Sequence, residues 1–142
     1  MKKKILSLAM ALAIGITGAA GFTSVVNAAN TADTTFSFYN GNKSTTTNWR
    51  DKTDTSKVYV YPKEGPGVYF TVRARKSSSD KEPQDGSHRF FVPCGVKGSL
   101  TNWVLENGRN QVQLYIQRRA TAYLTTTGVW SPDSTRNYTI YK

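Results

Sequence analysis

Val68-Tyr69-Phe70-Thr71-Val72-Arg73-Ala74-Arg75 is the stretch on which the fold turns. Its apolar residues fall at every second position, and in an extended chain successive side chains point to opposite sides. One side carries Val68, Phe70, Val72 and Ala74 toward a core, and the other carries Tyr69, Thr71, Arg73 and Arg75 toward water. A helix would instead place apolar residues three and four apart.

The same period of two recurs along most of the chain. Phe36 and Phe38 alternate with Thr35, Ser37 and Tyr39, and Asn40-Gly41 closes that segment with a turn signal. Val58 and Val60 alternate with Lys57, Tyr59 and Tyr61, then lead through the Pro- and Gly-rich residues 62–67 into the quoted stretch. These two segments read as neighbouring strands. Residues 76–87, Ser-rich, charged and broken by Pro83 and Asp85-Gly86, read as a surface loop. Residues 89–92 form a short strand stopped by Pro93. Residues 100–105 and 111–118 flank Asn107-Gly108 and predict a hairpin, because Gly tolerates the positive φ of a tight turn. Residues 122–125, 128–130 and 137–141 add short strands, whereas 31–33 and 42–54, apart from Trp49, have little to bury and read as loops. About eight short strands without helical crossovers predict an all-β fold, a single antiparallel β-sandwich.

Ahead of this domain, Lys2, Lys3 and Lys4 precede an apolar run from Ile5 to about Ala20, and Val26-Asn27-Ala28 supplies small residues for cleavage. That pattern predicts a signal peptide over residues 1–28 and a secreted domain over 29–142, extracellular or wall-associated. Gly15, Gly18 and Gly21 weaken the alternative of a permanent membrane span. The whole chain has 142 residues and a formal charge of +10; the leader takes three lysines and no acid, leaving 16 basic against 9 acidic residues, a balance of +7. The remainder is long enough to bury about two thirds of its unfolded surface as one domain. Cys94 is the one cysteine, so no disulfide forms within the chain, and between Pro93 and Gly95 it reads as a small buried residue.

Near the end stands Gly128-Val129-Trp130-Ser131-Pro132-Asp133-Ser134, in which Trp130 offers an apolar anchor while Ser131, Pro132, Asp133 and Ser134 suit a structural corner. With the exported N-terminus, Ser56-Lys57-Val58-Tyr59-Val60-Tyr61 and Asn102-Trp103-Val104-Leu105-Glu106-Asn107-Gly108, this string resembles an uncharacterised family of small secreted Gram-positive proteins. That resemblance brings no settled activity with it. A looser likeness, in size, export, basic charge and all-β pattern, is to lactococcin-like bacteriocins, and it implies a β-sandwich effector acting at the cell envelope.

No constellation for catalysis, cofactor or metal emerges. His88 is the sole histidine, and six extended residues would put it about 20 Å from Cys94, too far for a nucleophile and base. Glu106 is expected to pair with Arg109 across its turn, and Glu64 and Glu82 lie in loops, so nothing fixes two carboxyl groups across a glycosidic bond. Asp80, Glu82 and Asp85 lack the spacing of a calcium loop, and one His with one Cys serves zinc poorly. The expectation is a protein that is not an enzyme and holds no cofactor.

Alternation does suggest a binding face. If the apolar positions point inward, Lys57, Tyr59, Tyr61, Tyr69, Arg73, Arg75, Tyr115 and Arg119 point outward. Tyrosine offers flat contact area, and arginine offers planar donors that match phosphate or carboxylate. Such a face would be drawn to an anionic cell-wall polymer, a wall precursor or a membrane surface; export makes nucleic acid an unsuitable physiological partner. The alternative is a carbohydrate-binding or matrix module that uses Trp49, Trp103 or Trp130 as a sugar platform.

Overall fold

The computed structural model describes residues 30–142, so the expected leader over 1–28 lies outside the described residues. Eleven strands follow in order: β1 (Thr34–Tyr39), β2 (Ser44–Thr46), β3 (Arg50–Asp51), β4 (Val58–Glu64), β5 (Val68–Arg75), β6 (Gln84–Asp85), β7 (Phe90–Val92), β8 (Gly98–Leu100), β9 (Gln111–Arg118), β10 (Thr125–Ser131) and β11 (Thr139–Tyr141). The described residues contain no helix. The fold is all-β, as the alternation requires.

Two sheets pack face to face. The first has the order β1-β10-β4-β8-β11; the second has β2-β9-β5-β6, with β3 also on β9 and β7 also on β5. All pairs are antiparallel except β11 on β8. Between the sheets lie Phe36, Phe38, Val58, Val60 and Trp130 from the first, and Val68, Phe70, Val72, Ala74, Val112, Leu114 and Ile116 from the second. Phe36 meets Phe70 edge-on across the interior at 5.5 Å. Every second residue of β5 is fully buried, as its sequence period demands.

Four local expectations need correction. β4 and β5 are not neighbours: β4 sits between β10 and β8, while β5 sits between β9 and the β6 and β7 segments. Gly65, at φ 82°, turns the chain from one sheet into the other, and the apolar sides of both strands then face each other across the core. Residues 100–105 and β9 do not form a hairpin either. Only Gly98–Leu100 is strand, paired with β4 and β11, and Asn107-Gly108 is the corner of a crossover between sheets. Gly108 has φ 67°, and the Gly108 and Arg109 amides donate to the carbonyls of Leu105 and Val104. Arg109 directs its guanidinium to the Asn107 carbonyl rather than to Glu106.

The third correction joins residues 125–131 into one strand, β10, with a register irregularity between Thr127 and Gly128. A Cβ at Gly128 would collide with the Tyr61 carbonyl and the Phe36 ring, so this strand interior needs glycine for close approach. The fourth concerns the polar segments expected to be loops. β2 and β3 both pair with β9, and β6 pairs with β5 through Arg73↔Asp85 and Ala74↔Gln84. Thr45, Arg50 and Gln84 stand opposite the buried Ile116, Val112 and Ala74, so positions that would be apolar in a central strand are polar here, which hides edge strands from a search for apolar alternation.

Candidate functional site

The outer side of the second sheet is built by the positions that alternate with its core residues. Register places Tyr69 between Phe91 and Gln117, Thr71 opposite Tyr115, Arg73 between Asp85 and Gln113, and Arg75 opposite Gln111. On this surface four arginines lie over aromatic rings. The guanidinium carbon of Arg119 is 4.8 Å from the Phe91 ring centre, that of Arg89 is 4.8 Å from Tyr69, that of Arg73 is 5.5 Å from Tyr115, and that of Arg75 is 4.3 Å from Trp49. Tyr69 and Phe91 meet edge-on at 5.4 Å and join two of these pairs into one run.

Stacking engages only the face of a guanidinium, at a gain of about 0.5–1 kcal/mol per exposed pair, and does not consume its in-plane donors. Negative charge on this surface is sparse. Asp85, itself exposed, is 3.8 Å from Arg73, and Asp51 at the margin accepts from Gln111, whose side-chain carbonyl accepts from Arg75. Between these groups lies an open hollow of about 700 Å³ lined by Thr71, Arg73, His88, Arg89, Trp103 and Tyr115, among others. The arrangement suits a ligand with several anionic groups spread along a flexible chain.

The eight basic and tyrosine residues expected on one face are divided between two. Tyr69, Arg73, Arg75, Tyr115 and Arg119 share the second sheet's outer surface, whereas Tyr59 and Tyr61 belong to β4 in the first sheet and point away on the opposite side of the sandwich. Tyr59 is covered, at 3% exposure, by Tyr138 at 5.4 Å and Arg136 at 4.6 Å. Burial pushes its hydroxyl above the ordinary tyrosine value. Lys57 is half-buried just before β4. Sequence reasoning missed Arg89 and Phe91, although the burial of Phe90 between them follows the same period of two.

The three tryptophans also separate. Trp130 is 1% exposed and sits in the core, so it is no sugar platform. The face of Trp49 is occupied by Arg75. Trp103 is half-buried, packs edge-on against exposed His88 at 5.0 Å and lines the hollow. Cys94 is half-buried in the turn after β7, rather than interior.

The C-terminal string makes the expected corner and adds a buried ion pair that sequence reasoning missed. Lys52, with its side chain wholly buried, gives its three donors to Asp133 Oδ1 at 2.9 Å, the Pro132 carbonyl at 2.9 Å and the Ser56 carbonyl at 2.7 Å. The other oxygen, Asp133 Oδ2, accepts from the Thr53 hydroxyl at 2.6 Å and from the amides of Asn30 and Thr53. Burial disfavours the charged carboxylate, but the hydrogen bonds from Thr53, Lys52 and Asn30 outweigh it and bring the Asp133 pKa down from 3.8 to about 2. Every donor of Lys52 has a partner, so this charge is structural.

A second opening, about 470 Å³, separates the edges of β1 and β2 and is lined mainly by Thr, Ser and Asn over Phe36, Ile116 and Trp130. Its one cation, Arg50, already donates to the Asn30 side chain at 2.7 Å and to the Trp130 carbonyl. It has none of the free charge of the arginine-lined surface. Among the described residues no cluster of three His, Cys, Asp or Glu could hold a metal ion; Asp80 instead accepts the amides of Lys76 and Glu82 within its own loop.

Residues 24–134 match the family model described as a protein of unknown function, DUF2712. The chain belongs to this family, and the matched region ends at Ser134, the last residue of the corner string. No curated protein and no solved structure matches the chain.

Proposed function

We propose that the protein is a secreted, non-enzymatic binding protein that attaches to a phosphate-bearing polymer of the bacterial cell wall through the outer side of its second sheet. The observation carrying this reading is the set of four ring-stacked arginines, Arg73, Arg75, Arg89 and Arg119, on one surface with few carboxylates among them. Planar donors recognise phosphate oxygens pairwise, and a row of them gains from a polymer that presents phosphates in series. The N-terminal export pattern supplies the compartment in which such polymers occur. Trp103 at the rim of the hollow leaves room for a sugar-bearing unit of the polymer. That position is the one support for the carbohydrate-module alternative.

Cosedimentation of the secreted domain with intact walls and with walls chemically stripped of phosphate tests the reading. Binding should vanish on stripped walls and weaken with salt. Equal, salt-insensitive binding to both would favour the carbohydrate module. An effector role of bacteriocin type would add growth inhibition of related strains by the same preparation, an inhibition that the four-arginine variant should lose.

A further inference from the structure

The side of the sandwich opposite the arginine-lined surface carries its own basic, aromatic hollow. It measures about 320 Å³ and is lined by Tyr59, Tyr61, Lys63, Lys97, Arg136 and Tyr138, together with Asp33 and Val129. Lys63 and Lys97 place their ammonium groups 5.8 and 5.4 Å from the Tyr61 ring centre, and Lys97 is also 5.2 Å from Tyr138. Arg136 is held by Asp33 at 2.9 and 3.2 Å, so its charge is already answered. Both lysines are exposed, and among the described residues neither forms an ion pair.

We infer that this hollow is a second site for the same phosphate polymer, with Lys63 and Lys97 flanking one phosphate over Tyr61, and that the protein therefore bridges two polymer chains. The inference rests on the reading given under Proposed function. Two packed sheets are about 10 Å apart before their outward side chains are counted, and the two sites face opposite ways. A chain lying along one side reaches the other only by wrapping around an edge, whereas a second chain reaches it directly. Bridging then follows from geometry, and the paired weak contacts add as avidity.

Beads coated with purified poly(glycerol phosphate) read both properties: protein retained per bead reports binding, and light scattering reports clustering. The native domain should bind and cluster beads. K63Q/K97Q should retain binding within about threefold while clustering falls by about tenfold or more. A variant with Arg73, Arg75, Arg89 and Arg119 replaced by Gln should lose most binding, which tests the first site independently. If native protein binds without clustering, or if K63Q/K97Q clusters beads as well as the native domain does, bridging is overturned and the first site stands. If the four-arginine variant binds normally, the primary reading fails. Sedimentation velocity without polymer should give a monomer; a dimer would assign clustering to self-association and overturn the second site.

Discussion

Lys52 and Arg89 are both cations, and their surroundings give them opposite work. Lys52 lies with no side-chain exposure, its three donors spent on Asp133 and two carbonyls. Arg89 is exposed, lies over Tyr69 and forms no ion pair among the described residues. A buried charge must be answered by its own protein, because water is absent and desolvation costs several kcal/mol per ion. An exposed charge held over a ring keeps its donors for another molecule. The corner should therefore govern stability, and the arginine-lined surface should govern binding.

The strongest way to break that division is Lys52→Met. It leaves Asp133 as an unpaired buried carboxylate and should cost about 3–5 kcal/mol of unfolding free energy, read from urea melts. Next in size, glutamine at Arg73, Arg75, Arg89 and Arg119 should weaken polymer binding by about 3–4 kcal/mol, near 1 kcal/mol per cation at an anionic surface. The urea midpoint should remain close to that of the native domain. A large fall in stability from this second variant would erase the contrast.

Acid sharpens the same comparison. The folded pKa of Asp133, about 2, lies below its ordinary 3.8, so its stabilising contribution is fully present above pH 4 and is lost as pH falls toward 2. The contribution amounts to ~2 kcal/mol, and circular dichroism melts between pH 5 and 2 should show it. Asp133→Asn, if it folds, should flatten that part of the profile. The smallest expected effect belongs to Arg89→Lys, which keeps the charge but gives up planar stacking over Tyr69 and should weaken binding by about 0.5–1 kcal/mol in titration calorimetry.

Much of the architecture was legible because half-buried strands declare themselves by alternation. The inward positions of β1, β4, β5 and β9 follow directly from it, as does the all-β class. What alternation does not encode is which sheet a strand joins. The sides of β4 and β5 read alike in sequence, so Tyr61 and Tyr69 were expected together although Gly65 sends them to opposite surfaces. Lys52 escaped notice for a different reason. Its segment is polar, and the partner that makes burial tolerable stands 81 residues away at Asp133. The string around Asp133 did announce a corner, through Pro132 and its capping neighbours, but not what that corner encloses. Phe91 and Arg89 were within reach, since a buried Phe90 fixes its neighbours outward.

The salt dependence of binding tests the central claim most directly. For a flexible phosphate chain neutralised by four arginines, the logarithm of the association constant should fall with the logarithm of salt at a slope of about −3. The four-arginine glutamine variant should shed most of that slope. A shallow native slope, or one unchanged in the variant, would contradict the assignment of phosphate binding to this surface.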